Sequence, residues 1–185
     1  MAGFQRLGAV ELYRAHSIWL EEVEYEGPGG LRFKRDVVHH PGAVSVVAVQ
    51  DDGRAVLVRQ FRAAIEGDLL EIPAGKRDVD GEEPSVTARR ELEEEVGLRA
   101  DHIELLLEFY NSPGFCDEHS YSYLATGLTE CERAPVGPEE SAMTIEYVLL
   151  DDVSKLIAAG ELVDAKSIIA LLLARERMEQ RRHAR

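Results

Sequence analysis

Hydrophobic and polar positions change their period along this chain, and the changes mark its elements. Up to residue 61 the runs are short and strand-like: 8–14, 17–25 and 31–38, with Gly27, Pro28, Gly29 and Gly30 as the clearest turn and an alternating pattern over 31–38 that suits a half-buried strand. After Pro41 and Gly42, residues 43–50 are continuously apolar, the pattern of a strand buried on both faces. Asp51, Asp52 and Gly53 carry hairpin-turn chemistry, and 54–61 is the returning strand. Residues 84–96 switch to a helical period. Pro84 suits a first helical position, Gly97 suits the residue just past the end, and Ala88, Leu92 and Val96 form a core-facing stripe. Strand-like runs follow at 103–110, 119–126 and 143–149, then helices at about 151–158 and 164–181. The last helix carries Ile168, Ile169, Leu171, Leu172 and Leu173 and ends among Arg175, Arg177, Arg181, Arg182 and Arg185. Those cations complement the helix dipole; an anion-binding tail is the alternative.

Length and composition narrow the class. The 185 residues, 45% hydrophobic and 30% charged, fit one globular domain or one domain with a small appendage. No run reaches the roughly 20 apolar residues needed to span a bilayer. A net charge of −14 disfavours nucleic acid and membrane surfaces as partners. Cys116 and Cys131 cannot make a disulfide framework, and the N-terminal residues lack the order of a signal peptide, so a reducing cytoplasm is the expected setting. An acidic protein that handles phosphates needs a cation to do so.

The acid excess is uneven. Glu91, Glu94 and Glu95 share one face of the 84–96 helix, beside the Ala88, Leu92 and Val96 stripe rather than opposite it. Carboxylates at the edge of a core repel one another and resist desolvation. A hard divalent cation resolves that repulsion; a solvated acidic face is the alternative.

The flanking residues sharpen the reading. From Gly75 the segment runs through Glu82, seven intervening residues, Arg90, Glu91, Leu92, Glu94, Glu95, Gly97 and Leu98. It resembles the Nudix box, which runs Gly, five residues, Glu, seven residues, Arg-Glu-aliphatic-any-Glu-Glu-any-Gly-aliphatic. One departure is present: six residues, not five, separate Gly75 from Glu82, in a loop that leaves the helix register intact. The resemblance implies an α+β fold: a Nudix α/β/α sandwich with a mixed sheet over 41–185, preceded by a small N-terminal antiparallel β-sheet over 1–40. It implies hydrolysis of a pyrophosphate bond with Mg²⁺ or Mn²⁺, about two or three ions per site. Glu91 and Glu95 are then the primary ligands, Glu94 a further or water-mediated one, and Ala74 adds its backbone carbonyl. Glu82 and Arg90 match a structural ion pair, with a water-mediated metal contact as the alternative for Glu82. Gly75, Arg90 and Gly97 are structural members of the box.

Three further stretches bear on the substrate. Ser112, Pro113, Gly114, Phe115, Cys116, Asp117 and Glu118 resemble the SPGF-Ser/Thr-DE signature of the ADP-ribose pyrophosphatases, with Cys116 replacing a hydroxyl residue. That resemblance implies that Ser112 and Glu118 lie near the terminal ribose. Arg62, shortly before LLEIPAG, matches a phosphate-binding arginine of the same enzymes, while Arg59 is expected to face solvent. Glu140 matches the loop glutamate that acts on the attacking water, with Glu139 as its rival. The N-terminal strands match a region exchanged across a homodimer, where Ile18, Trp19, Arg35 and Asp36 occupy adenine-side places. A core or dimer-packing role is the alternative for Trp19. The implied reaction is hydrolysis of ADP-ribose to AMP and ribose 5-phosphate. The alternatives are another nucleoside diphosphate sugar, such as ADP-glucose or GDP-mannose, and a non-catalytic ADP-ribose-binding module.

Overall fold

The computed structural model describes residues 3–184. The chain forms two compact units. One is built on the residues up to Gly42 and on Phe109–Ser120; the other takes Ala43–Glu108 and the chain from Tyr121 onward.

In the first unit, β1 (Gln5–Arg14), β2 (Trp19–Glu26) and β3 (Arg32–His39) make an antiparallel three-stranded sheet with β2 in the centre. Val23 on β2 is its buried apolar residue, whereas every residue of β1 is exposed. The turn into β3 passes through Gly29 and Gly30 at positive φ (79° and 77°), a region glycine enters without Cβ strain. The Ser112–Asp117 turn docks on β3: Val38 N donates to Phe115 O (2.7 Å) and Asp117 N to Val38 O (3.1 Å).

The second unit is built on a mixed seven-stranded sheet of order β10-β5-β4-β9-β8, with two short additions. β6 (Gly67–Glu71) pairs with β5 (Arg54–Arg62), and β7 (Ala74–Lys76) pairs with β4 (Ala43–Val49). The remaining strands are β8 (Leu98–Tyr110), β9 (His119–Glu130) and β10 (Thr144–Leu149). The apolar run of β4 divides its side chains between two cores because successive strand residues face opposite ways. Val44, Val46 and Ala48 pack with Ala88, Leu92 and Val96 of α1 (Pro84–Val96). Val47 and Val49 pack with Ala170, Leu171 and Ala174 of α4 (Ala165–His183). Helices therefore cover both faces. Each fully buried leucine, such as Leu57, Leu92 or Leu171, contributes roughly 1.5–3 kcal/mol of transfer free energy.

Three elements escape the hydrophobic pattern. β6 and β7 are too short, and too close to Gly67 and Pro73, to show a period. α2 (Gly137–Ala142) buries none of its residues. β8 starts at Leu98, directly after the helix cap, rather than at 103; an edge strand tolerates the polar residues 99–102 because one side of it is open. α3 (Val153–Ala159) follows a 3-10 turn at Leu150–Asp152. Among the described residues, no helix is long and apolar enough to cross a membrane. Of the terminal cations, Arg175 bonds to Ser154 Oγ and Arg181 pairs with Glu104; Arg185 lies outside the described residues.

Candidate active site

The helix α1 and the β7 backbone build the acidic centre of the second unit. Pro84 occupies the first turn, and Gly97 closes the helix in the left-handed conformation (φ 66°, ψ 40°), its N–H returning to Glu93 O. A Cβ on Gly97 would also stand 2.9 Å from Cys131 O, so this glycine is required twice over. Between these ends the helix turns Glu91 and Glu95 inward next to the apolar stripe, leaving them only 7% and 3% exposed. Gly75 on β7 faces Glu91 so closely that a Cβ there would overlap the carboxylate. Glu95 Oε2 accepts from the backbone N–H of Ala74 (2.9 Å).

Arg90 gathers the remaining carboxylates. Its Nη1 donates to Glu91 Oε1 (2.9 Å) and Glu94 Oε2 (3.1 Å), and its Nη2 lies 3.4 Å from Glu82 Oε2 and 3.5 Å from Asp78 Oδ1. Asp78 adds an exposed carboxylate that the sequence pattern did not single out.

Burial dominates the electrostatics. Desolvation pushes Glu91 up to about 7, opposed by Arg90 and reinforced by Glu94, Glu140 and Asp78. Desolvation likewise pushes Glu95 up to about 8; the Ala74 N–H and Arg62 oppose this, while Glu91 and Glu140 add to it. Glu140 thus lies within electrostatic reach of both buried carboxylates. Arg133, which the sequence reading did not single out, holds that arrangement. Its Nε donates to Glu95 O (2.5 Å) and its Nη2 to Glu140 O (2.5 Å). Glu140 Oε2 accepts from Val136 N (2.5 Å), whereas Glu139 is exposed.

Arg62 approaches from β5. It grips the buried Glu71 with both arms of its fork, and its charge also acts on Glu95. Arg59 does not simply face solvent: it pairs with Glu146 on β10 (2.6 Å). Glu71 and Lys166, which ion-pair with each other, are further members of this region that the sequence reading missed; LLEIPAG contains Glu71, but nothing in its period predicts a buried carboxylate.

The other sequence candidates belong to the first unit. Trp19 stacks on His39 (4.8 Å between centroids, 20° between planes), and the Arg14 guanidinium lies 4.8 Å from its ring centroid. His39 in turn meets Asp117 Oδ2 (2.5 Å) and Glu21 Oε2 (3.1 Å). Arg35 lies over Phe33 (4.7 Å), while Ile18 and Asp36 are exposed. Ser112 O accepts from Phe115 N (3.1 Å) and Cys116 N (2.9 Å), and Glu118 O accepts from Asn111 N (3.4 Å). Burial pushes the Cys116 thiol up, away from thiolate chemistry.

Among the described residues no three His, Cys, Asp or Glu side chains converge as a ready-made metal cage. The donor set nevertheless fits a hard divalent cation: two buried carboxylates, both pushed up by desolvation and Glu95 further by the charge of Glu91, a third on the same helix face, and a neighbouring backbone strand. A cation between them would remove the repulsion that burial imposes.

The NUDIX domain family model matches residues 39–171. The "ADP-ribose pyrophosphatase" of Bacillus subtilis (strain 168) is 43% identical over 154 residues, covering 83% of this chain and 82% of that protein. The "Methanol dehydrogenase activator" of Bacillus methanolicus is 38% identical over 161 residues, covering 87% and 86%. A solved structure described as "Crystal structure of ADP compounds hydrolase" superposes with a TM-score of 0.86 at 22% identity, over 98% of this chain and 97% of that one, and so shares the fold.

Proposed function

Because the chain belongs to the NUDIX domain family, we propose that it hydrolyses the pyrophosphate bond of ADP-ribose, giving AMP and ribose 5-phosphate. The observation that carries this reading is the buried Glu91 and Glu95 pair, set on α1 against the Ala74 and Gly75 backbone. Such a pair is costly without a cation and apt with one.

Glu91 and Glu95 are the proposed primary ligands for Mg²⁺ or Mn²⁺, about two or three ions in all, with Glu94, Glu82 and the Ala74 carbonyl completing the donors. When bound, the metal neutralises diphosphate oxygens and lowers the pKa of water. The chain's own residues do the rest. Arg62 offers a planar fork to the diphosphate. Glu140 takes a proton from the attacking water as one P–O bond of the anhydride breaks and the other phosphate leaves. Arg133 fixes the backbone of Glu140 relative to that of Glu95. Arg90 holds Glu82, Glu91 and Glu94 in register. Ser112 and Glu118 are assigned to the terminal ribose, and Ile18, Trp19, Arg35 and Asp36 to the adenine side, on the strength of the motif resemblance.

A homodimer with an exchanged N-terminal region is part of the same proposal. The support is β1: all ten of its residues are exposed, among them Val10 (60%), Leu12 (54%) and Tyr13 (65%). An edge strand with that much open apolar surface calls for a partner. The reducing cytoplasm is the proposed setting and agrees with the free Cys116 and Cys131.

A substrate panel tests the reading. With Mg²⁺ and with Mn²⁺, kcat/KM for ADP-ribose is expected to exceed that for ADP-glucose, GDP-mannose and NADH. A higher value for any of the others reassigns the substrate.

A further inference from the structure

His39 ends β3 with both ring nitrogens against carboxylates. Nδ1 meets Asp117 Oδ2 at 2.5 Å, and Nε2 meets Glu21 Oε2, on β2, at 3.1 Å. Glu21 Oε2 also accepts from Arg6 Nη2 on β1 (2.7 Å). The ring stacks on Trp19, its register partner on β2, and Arg14, the partner of Trp19 on β1, lies over the same indole. Arg14, Trp19 and His39 therefore form a cross-strand row on one face of the small sheet. The second oxygen of Asp117, Oδ1, accepts from His40 N (2.9 Å). Val38 N donates to Phe115 O, and Asp117 N donates to Val38 O. Of these four bonds between the Ser112–Asp117 turn and the end of β3, three use strand-side backbone and one uses a side chain, the His39 ring.

We propose that His39 is a positioning residue: by holding Asp117 it sets the turn so that Glu118, the next residue, and Ser112, at the start of the turn, meet the terminal ribose of the substrate. The inference rests on the reading that Ser112 and Glu118 meet that ribose. Its physical basis is the contrast between the two partners. The His39 side chain is 15% exposed and held by the Trp19 stack and by Glu21, whereas the Asp117 side chain is 47% exposed. The ring is thus the fixed post, and the turn conforms to it. A protonated ring donates to both carboxylates at once, and a neutral ring with its proton on Nδ1 still donates to Asp117. Without the ring, the Asp117 carboxylate keeps only its Oδ1 bond to the strand, and the residue beside it loses a fixed orientation.

The test is steady-state kinetics on the full chain with Mg²⁺ and ADP-ribose, with ADP as a competitive inhibitor. ADP carries the adenosine and the diphosphate of the substrate but no terminal ribose. His39→Phe keeps an aromatic ring against Trp19 and removes both donors. It is expected to raise KM for ADP-ribose about tenfold, within the range of couplings measured between contacting residues, and to leave Ki for ADP within about twofold. Asp117→Ala breaks the same contact from its exposed side and is expected to have the same effect. The two side chains act through one bond, so the double variant is expected to stay within about threefold of the worse single variant. His39→Asn places an amide N–H where Nδ1 stands and is expected to bring KM to within about threefold of the wild type. KM and Ki do not depend on how much of a preparation is folded. A wild-type KM in either His39→Phe or Asp117→Ala overturns the inference, as does a His39→Asn variant as impaired as His39→Phe. A Ki for ADP that rises in step with KM also overturns it, because the contact then serves the fold or the adenine side rather than the ribose. Glu118→Gln separates the two levels. A wild-type KM there overturns the ribose reading and the inference with it. A raised KM there, with a wild-type KM in His39→Phe and Asp117→Ala, overturns the His39 inference alone. A wild-type chain inactive on ADP-ribose overturns the substrate reading and the inference with it.

Discussion

Gly75 and Glu91 share one volume: the carboxylate of Glu91 fills the space that a side chain on Gly75 would occupy. The glycine φ is not in the left-handed region, so backbone freedom does not explain this position. Close approach does. The β7 strand must pass against α1 tightly enough to bury Glu91, and only a residue without Cβ permits it. The first letter of the motif is therefore a steric condition on the first carboxylate.

Gly75→Ala is accordingly expected to displace Glu91 and lower kcat/KM by about tenfold to a hundredfold, the range seen when a metal ligand loses its orientation. Strand β7 is short and peripheral, so thermal unfolding should shift only modestly. Wild-type kinetics for this variant would show that Glu91 reaches its working position by another route.

Glu95→Gln is expected to reduce kcat by about a hundredfold or more, because a neutral amide holds a divalent cation poorly. Calorimetry gives a second readout. Saturating Mg²⁺ should raise the wild-type unfolding temperature, about 2.7 kcal/mol at a hundredfold excess over Kd, and should raise the Glu95→Gln variant much less. Unchanged turnover in saturating Mg²⁺ removes Glu95 from the ligand set.

Glu140→Gln and Glu139→Gln form a paired test. Glu140 acts on both buried carboxylates and is tied to Arg133 and Val136, whereas Glu139 is exposed. A general base contributes about 10²–10⁴ in rate, so Glu140→Gln should lower kcat by that order and Glu139→Gln by little. The reverse ranking moves the base by one residue.

Light scattering at micromolar concentration should report a dimer for the wild type. Val10→Glu combined with Tyr13→Glu places charge on the exposed apolar positions of β1 and should shift the population toward monomer. A monomeric wild type dismisses the exchanged N-terminal region.

Most of this molecule is legible from local pattern. Continuous apolar residues in β4, a period of 3.6 in α1 and the pair Pro84 and Gly97 specify their elements because burial and capping are local requirements. The spacing of Glu91, Glu94 and Glu95 also places them on one helix face without any tertiary information. The depth of Glu91 and Glu95, by contrast, was decided by the sheet that covers them, and their raised pKa values follow from that cover. Arg133, Glu71 and Lys166 were invisible for the same reason. Arg133 reaches the backbone oxygens of Glu95, 38 residues away, and Glu140, and Lys166 reaches Glu71 across 95 residues. A sequence carries the period that forms an element and the spacing that puts side chains on one face. Which buried charge meets which counter-charge depends on how those elements pack, since desolvation exists only once the core has closed.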